Sequence, residues 1–271
     1  MFRKFLLVAL ACTISVANAD DLKKAKPESV GMSSDRLELI KPYMQAYVDN
    51  DELAGVVTLI ARKGKIVHFE EVGKLNLETG KKLKKDSLFR IYSMTKPIVT
   101  TAAMMLYEEG KFQLTDPVSM YLPAFKGVKV LVDGEEVDAT HEFTIRELMS
   151  HTAGLTYGIF GNTEVDQAYR AALFEQTGGY KVATIEEMVN EIGEIPLQYQ
   201  PGTKWVYSLS VDVLGRLIEV VSGQSLDVFL EERMFEPLDM DDTFFEVPKD
   251  KVKRFGTNHL RSKDGILTVM D

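Results

Sequence analysis

The chain is predicted to fold as an α/β (α+β) protein, and three observations carry that prediction. One pair of β-rich runs brackets a Lys-Gly turn. Several apolar patterns of helical period each carry their own start or stop signal. The 271 residues, 45% of them hydrophobic, suffice for one large core or two lobes.

The first residues stand apart from that domain. Arg3 and Lys4 form a positive n-region, residues 5–16 are a short apolar stretch, and Ala17-Asn18-Ala19 is a small-residue cleavage site. Residues 1–19 are therefore expected to be a secretory signal peptide, too short to serve as a membrane anchor. The single cysteine, Cys12, lies within it, so the mature chain is expected to have no disulfide or thiol chemistry. Without Arg3 and Lys4 the chain keeps 30 basic residues against 41 acidic ones, a formal charge of −11. That balance argues against nucleic acid and anionic membrane surfaces as partners. Export points to a secreted, periplasmic protein.

Residues 20–271 are read as one domain. After a polar leader, Ser33-Ser34-Asp35 caps a helix with Leu37, Ile40, Met44 and Val48 on one face. Residues 55–61 and 66–70 form the hairpin. The basic cluster Lys81-Lys82-Leu83-Lys84-Lys85 is a solvated connection. An apolar run from Ile98 to Leu106 forms a buried helix that stops at Gly110. Thr144-Ile145-Arg146-Glu147 and Thr184-Ile185-Glu186-Glu187 fit capping boxes. Residues 154–179, glycine-bearing and weakly periodic, read as a long surface excursion. Residues 210–221 form a helix ended by Gly223, and residues 225–234 a shorter one. The chain stops after a polar stretch with no closing element, and two strands alone are marginal in water. A C-terminally truncated domain, lacking late sheet strands, is the expectation.

The chemical signal is Ser93-Met94-Thr95-Lys96, the only Ser-x-x-Lys in the chain. Residues three apart are neighbours on a helix surface, so the amine reaches the hydroxyl. First-turn N–H groups without an intrahelical partner can stabilise negative charge beside the serine. For Lys96 to accept a proton, its pKa must fall below the free value of about 10.4, through burial or nearby positive charge. A second proton-handling group is needed for the leaving group, and Tyr207 suits it, on a constrained connection between the turn Pro201-Gly202-Thr203 and the Ser210 helix. Trp205 is expected in the core. His68, His141, His151 and His259 share no metal-ligand spacing, and no Gly-x-Ser-x-Gly elbow accompanies them. The expectation is therefore a Ser–Lys–Tyr site without cofactor or metal, not a histidine triad.

Six segments occur in order: Ser93-Met94-Thr95-Lys96, Leu114-Thr115-Asp116-Pro117, Leu148-Met149-Ser150-His151-Thr152-Ala153-Gly154-Leu155, Pro201-Gly202-Thr203-Lys204-Trp205-Val206-Tyr207-Ser208, Leu214-Gly215 and Pro237-Leu238-Asp239-Met240. Together they resemble the class C β-lactamase-related serine hydrolases: β-lactamases, D-alanyl-D-alanine carboxypeptidases and family VIII carboxylesterases. The resemblance runs from about residue 55 to 243. It implies a β-lactamase/transpeptidase-like fold, with an antiparallel sheet flanked by helices beside a helical lobe. It also implies acylation of Ser93, proton abstraction supported by Lys96 and acid/base transfer by Tyr207. His151 falls in a structural loop of that pattern.

Two departures are informative. The family's Tyr-x-Asn ends here in Leu209, which weakens a β-lactam or peptide substrate and favours the esterase branch. The late-strand Lys-Thr-Gly-like or Trp-x-Gly-like motif has no counterpart before Asp271. The expected function is a secreted serine hydrolase forming an acyl-enzyme at Ser93, acting as a carboxylesterase on small esters. A β-lactamase or D-alanyl-D-alanine carboxypeptidase is the alternative, and a non-hydrolytic penicillin- or peptidoglycan-recognising module the rival of another class. The partner is a small-molecule ester or amide. The sequence leaves the oligomeric state unread.

Overall fold

The structure, a computed structural model, describes residues 22–176 and 179–270. The signal-peptide reading, and Cys12 with it, lies outside the described residues. In chain order the elements are β1 (Lys23–Lys24), α1 (Ser34–Leu37), α2 (Ile40–Asp49), β2 (Gly55–Arg62), β3 (Lys65–Gly73), α3 (Thr95–Glu108), β4 (Lys129–Val132), β5 (Glu135–Asp138), α4 (Ile145–Met149), α5 (Glu164–Leu173), α6 (Ile185–Gly193), α7 (Ser210–Ser222), α8 (Leu226–Leu230), β6 (His259–Arg261) and β7 (Leu267–Val269). Residues 22–89 and 248–270 form one compact unit and residues 90–247 another. No helix among the described residues is long and apolar enough to cross a membrane.

The first unit holds a three-stranded sheet in the order β1-β3-β2. β2 and β3 pair antiparallel, with a bulge at Ile60/Ala61, and β1 runs parallel to β3. Lys63 and Gly64 both have positive φ, the backbone of a tight hairpin turn whose twist matches the strands. The helix expected from Ser33 is broken in two. Ser33 does cap it, accepting from the Arg36 N–H, but the helix halts after Leu37 and restarts at Ile40. Pro42 is the reason: it has no N–H for the Glu38 carbonyl, and its ring crowds that carbonyl.

The second unit is mainly helical and contains a large apolar core. Val99, Ala102, Ala103 and Leu106 from α3 meet Leu148 from α4, Leu173 from α5, Ile192 from α6 and Leu214, Leu217 and Ile218 from α7. Thr144 and Glu147 form the expected capping box. Thr184 caps α6 by accepting from Glu187 N–H, while the Glu187 carboxylate takes the Ala183 N–H instead. Gly223 closes α7 in the left-handed conformation.

One further expectation is corrected here. Residues 154–179 are not merely a surface excursion: they contain α5, whose Val165, Tyr169 and Leu173 are buried. Its start is a capping box, Thr163 with Asp166, with aspartate in place of the commoner glutamate or glutamine. The middle of the chain also holds a hairpin, β4–β5, turning at Asp133-Gly134, a dipeptide suited to two successive positive φ angles.

Candidate active site

Every group of the site belongs to the second unit. Ser93 lies in a 3-10 turn, Tyr92–Met94, that runs directly into α3. Tyr92, immediately before it, holds φ of +44°, a conformation that non-glycine residues adopt only when their surroundings impose it. Pro97 falls in the first turn of α3, where a missing N–H costs no helical hydrogen bond. One turn on from Ser93, Lys96 points back at it: Lys96 Nζ donates to Ser93 Oγ at 3.3 Å. Tyr207 arrives from the segment before α7, with its hydroxyl 2.6 Å from Ser93 Oγ. Of the residues expected to form the site, Ser93, Lys96 and Tyr207 therefore converge on one point.

Sequence reasoning missed a second tyrosine. Tyr157 accepts a hydrogen bond from Lys96 Nζ at 3.3 Å. Its ring stacks on that of Tyr207, with centroids 5.3 Å apart and planes 23° apart. Lys96 Nζ also lies 4.8 Å from the centre of the Tyr207 ring. The ammonium is thus held between two phenols and one alcohol. Tyr157 follows the Leu155 of a motif noted in the sequence, but nothing local to it signals a site.

The electrostatics overturn the expectation of a depressed Lys96 pKa. Burial pushes Lys96 down, yet the interactions with Tyr207 and Tyr157 outweigh it, and the value settles above the ordinary lysine range. The compensating shift falls on Tyr207, which is lowered, first by the Lys96 ammonium and then by the Ser93 hydroxyl. Tyr157 moves up, mainly through burial and then through the Asp212 carboxylate. The group in this trio best able to take a proton from Ser93 is accordingly Tyr207, with Lys96 as the fixed positive charge that stabilises its phenolate.

A cleft of about 330 Å3 opens beside these groups. Ser93, Lys96 and Tyr157 line one part of it, and Val99, Ile185, Val211, Leu226 and Phe245 supply an apolar wall. Asp212 from α7 also lines it, with its carboxyl pushed up by burial and drawn partly back by Lys96. Leu209 is fully buried and offers no polar group to a substrate. Trp205 is not core, contrary to expectation: it is 63% exposed and lies across the Tyr207 ring at 6.3 Å. It sits in an irregular segment between the Pro201-Gly202 turn and α7.

The four histidines are dispersed. His68 hydrogen-bonds Thr58, His141 bonds Glu147, and His259 accepts from the Leu77 N–H. His151 Nδ1 meets Ser208, next to Tyr207 rather than to Ser93. Among the described residues, no group of three or more His, Cys, Asp or Glu side chains is placed to hold a metal ion.

Comparison with known proteins shows the family of the chain. The family model described as Beta-lactamase matches residues 39–270. Esterase EstB of Burkholderia gladioli is 32% identical over 198 residues, which are 71% of this chain and 47% of the esterase. N-acetylmuramyl-L-alanine amidase of Bacillus subtilis is 26% identical over 226 residues, 79% of this chain and 48% of the amidase. Among solved structures, EstCE1, a hydrolase with promiscuous acyltransferase activity, superimposes with a TM-score of 0.76 at 28% identity. That match covers 88% of this chain and 60% of EstCE1. The chain spans about half the length of the curated relatives it matches. Its fold is β-lactamase/transpeptidase-like, and the chain belongs to the β-lactamase family of serine hydrolases.

Proposed function

We propose that this protein is an exported carboxylesterase that forms an acyl-enzyme at Ser93. The observation that carries the reading is the 2.6 Å contact of Ser93 Oγ with a Tyr207 hydroxyl whose phenolate is stabilised by Lys96. Tyr207, as phenolate, takes the Ser93 proton while Oγ bonds to the substrate carbonyl carbon. The carbonyl oxygen then carries the negative charge, held by backbone N–H groups that include that of Ser93. As the carbon–oxygen bond to the alcohol breaks, Tyr207 returns the proton to the departing oxygen. Water enters, gives a proton to Tyr207, and attacks the acyl carbon. Ser93 leaves with that proton, and the carboxylic acid is released.

An ester is favoured over an amide by Leu209, apolar and buried where an asparagine would contact an amide, and by the similarity to EstB and EstCE1. Export is supported by the order of charge, apolar stretch and cleavage site in residues 1–19. The test is turnover of p-nitrophenyl butyrate beside nitrocefin, with Ser93→Ala as the comparison. Sustained ester hydrolysis that Ser93→Ala abolishes is expected. Faster nitrocefin than ester turnover would overturn the ester assignment, and a single burst without turnover would favour the non-hydrolytic module. Mass spectrometry of the exported protein is expected to find Asp20 as its first residue.

A further inference from the structure

Helix α4 ends in a way that its sequence does not favour. Ser150 is its last partly helical residue, and His151 follows with φ of +57°. The His151 N–H bonds the Leu148 carbonyl at 3.3 Å and the Thr152 N–H bonds the Glu147 carbonyl at 2.9 Å. This is the paired-bond helix ending whose left-handed position is normally taken by glycine, because a β-carbon there crowds the backbone. A histidine at that position is a conformational cost with no return to the helix. An outlier of this kind, beside a site, points to what its side chain does.

The ring and backbone of His151 grip the segment that carries Tyr207 on both sides. The Val206 N–H donates to the His151 carbonyl at 2.9 Å. The Ser208 N–H donates to His151 Nδ1 at 3.3 Å, and Ser208 Oγ lies 3.1 Å from the same nitrogen. A backbone N–H can only donate, so Nδ1 accepts and the ring proton sits on Nε2. Ser208 is itself buried and joined to the buried Ser210 hydroxyl at 2.7 Å, at the start of α7. Between these two anchor points the imidazole packs on the Tyr207 ring, with centroids 5.1 Å apart, and edge-on to Trp205 at 6.0 Å.

We propose that His151 is a positioning residue for Tyr207: it fixes residues 206 and 208 through its carbonyl and Nδ1, and so holds the phenol against Ser93. The proposal rests on the reading of Ser93 and Tyr207 given above. It explains why a histidine occupies a glycine-type position, and it assigns His151 no contact with substrate or reacting atoms.

The left-handed backbone supplies a test that separates positioning from folding. His151→Gly relieves the backbone and keeps the helix ending, but removes the Nδ1 acceptor and the ring. His151→Asn also tolerates this backbone and offers an amide oxygen close to where Nδ1 stands. Acylation of Ser93 would be measured as the p-nitrophenol burst with p-nitrophenyl acetate, alongside Tm and KM. His151→Gly is expected to melt no lower than the parent and to acylate about 10- to 100-fold more slowly, a loss typical of a misplaced catalytic group. KM should stay close to that of the parent, and His151→Asn should recover most of the rate. Parental acylation in His151→Gly, or loss in both variants in step with a fall in Tm, would overturn the positioning role. A parent whose ester hydrolysis survives Ser93→Ala, or that labels elsewhere than Ser93, would overturn the underlying reading of the site and this role with it.

Discussion

At Tyr207 the Lys96 ammonium and the Ser93 hydroxyl stabilise the phenolate, so the phenol loses its proton below the ordinary 10.0. Lys96, tied to two phenols, keeps its proton beyond the ordinary 10.5. The sign of the pH dependence follows. In the proposed mechanism acylation needs Tyr207 ionised and Lys96 charged, so its rate should rise through the Tyr207 pKa and fall only where Lys96 discharges. An alkaline optimum with a rising limb below pH 10.0 is expected from burst rates across pH. In Lys96→Ala the chief cause of the Tyr207 shift is gone, so the rising limb should move up toward the free phenol value of about 10. An unmoved limb would remove Lys96 from that role. Tyr207→Phe keeps the stacking on Tyr157 and deletes the hydroxyl. Its acylation should drop by about two to four orders of magnitude with little change in Tm, and a parental rate would make Tyr207 a packing residue only. Legibility at this scale tracks local pattern: Tyr207, 114 residues from Ser93, is marked by the turn before it and by the ordered segment that carries it. Ser93 and Lys96 are three residues apart on one turn, so helix geometry alone predicts their contact. Tyr157 and Asp212 reach the same place through tertiary packing, and no local pattern in a single sequence announces that.

The elements show where local chemistry suffices and where it misleads. The capping box at Thr144, the stop at Gly223 and the β2–β3 hairpin were legible because side chain and backbone within a few residues decide them. The α1–α2 break follows from Pro42, whose local effect is masked by the apolar stripe that runs across it. Helix α5 was hidden by its glycine-bearing approach, although Thr163 and Asp166 mark its start. Asp166 does more than cap. Its buried carboxylate accepts from the Thr163 N–H at 2.9 Å and from the Thr156 hydroxyl at 2.6 Å, clipping the segment that bears Tyr157 and Phe160. A β-carbon on Gly161 would come within 2.3 Å of that carboxylate, so the approach must be glycine here. Burial pushes the Asp166 pKa up, but these hydrogen bonds bring it below the ordinary value. The folded value is therefore lower than the unfolded one, and the carboxylate's contribution is complete above about pH 4. It is lost as the pH falls through the folded value. Asp166→Ala should cost about 1–3 kcal/mol at neutral pH, through orphaned buried donors, and should flatten that part of the acid limb of Tm against pH. It should also slow acylation by loosening Tyr157. An unchanged Tm would mean that water replaces the carboxylate at no cost.

At the scale of the whole chain the distribution of burial is uneven, and that has a measurable consequence. The large apolar cluster lies entirely within the unit formed by residues 90–247. The other unit is built on the β1-β3-β2 sheet, with Val30, Leu37, Ala54, Val72, Leu75, Leu83 and Leu88 as its buried apolar side chains among the described residues. Apolar burial contributes roughly 25 cal/mol per Å2, so the sheet unit has far less to set against its conformational entropy. Two units with separate cores need not unfold as one. The single tryptophan, Trp205, makes the distinction visible, because it lies in the larger unit against His151 and Tyr207. Its emission intensity should report the loss of that unit and of the site together. Far-ultraviolet circular dichroism reports both units. On heating, the dichroism signal is expected to begin its fall several degrees below the tryptophan transition, as the sheet unit melts first. Val72→Ala, in the sheet unit, should widen the gap by lowering the early phase, and Leu148→Ala, in the large core, should close it by lowering the late one. Each costs about 1–5 kcal/mol, the range for deleting buried methyl groups. Transitions that coincide in the parent and shift together in both variants would show that the two cores unfold cooperatively.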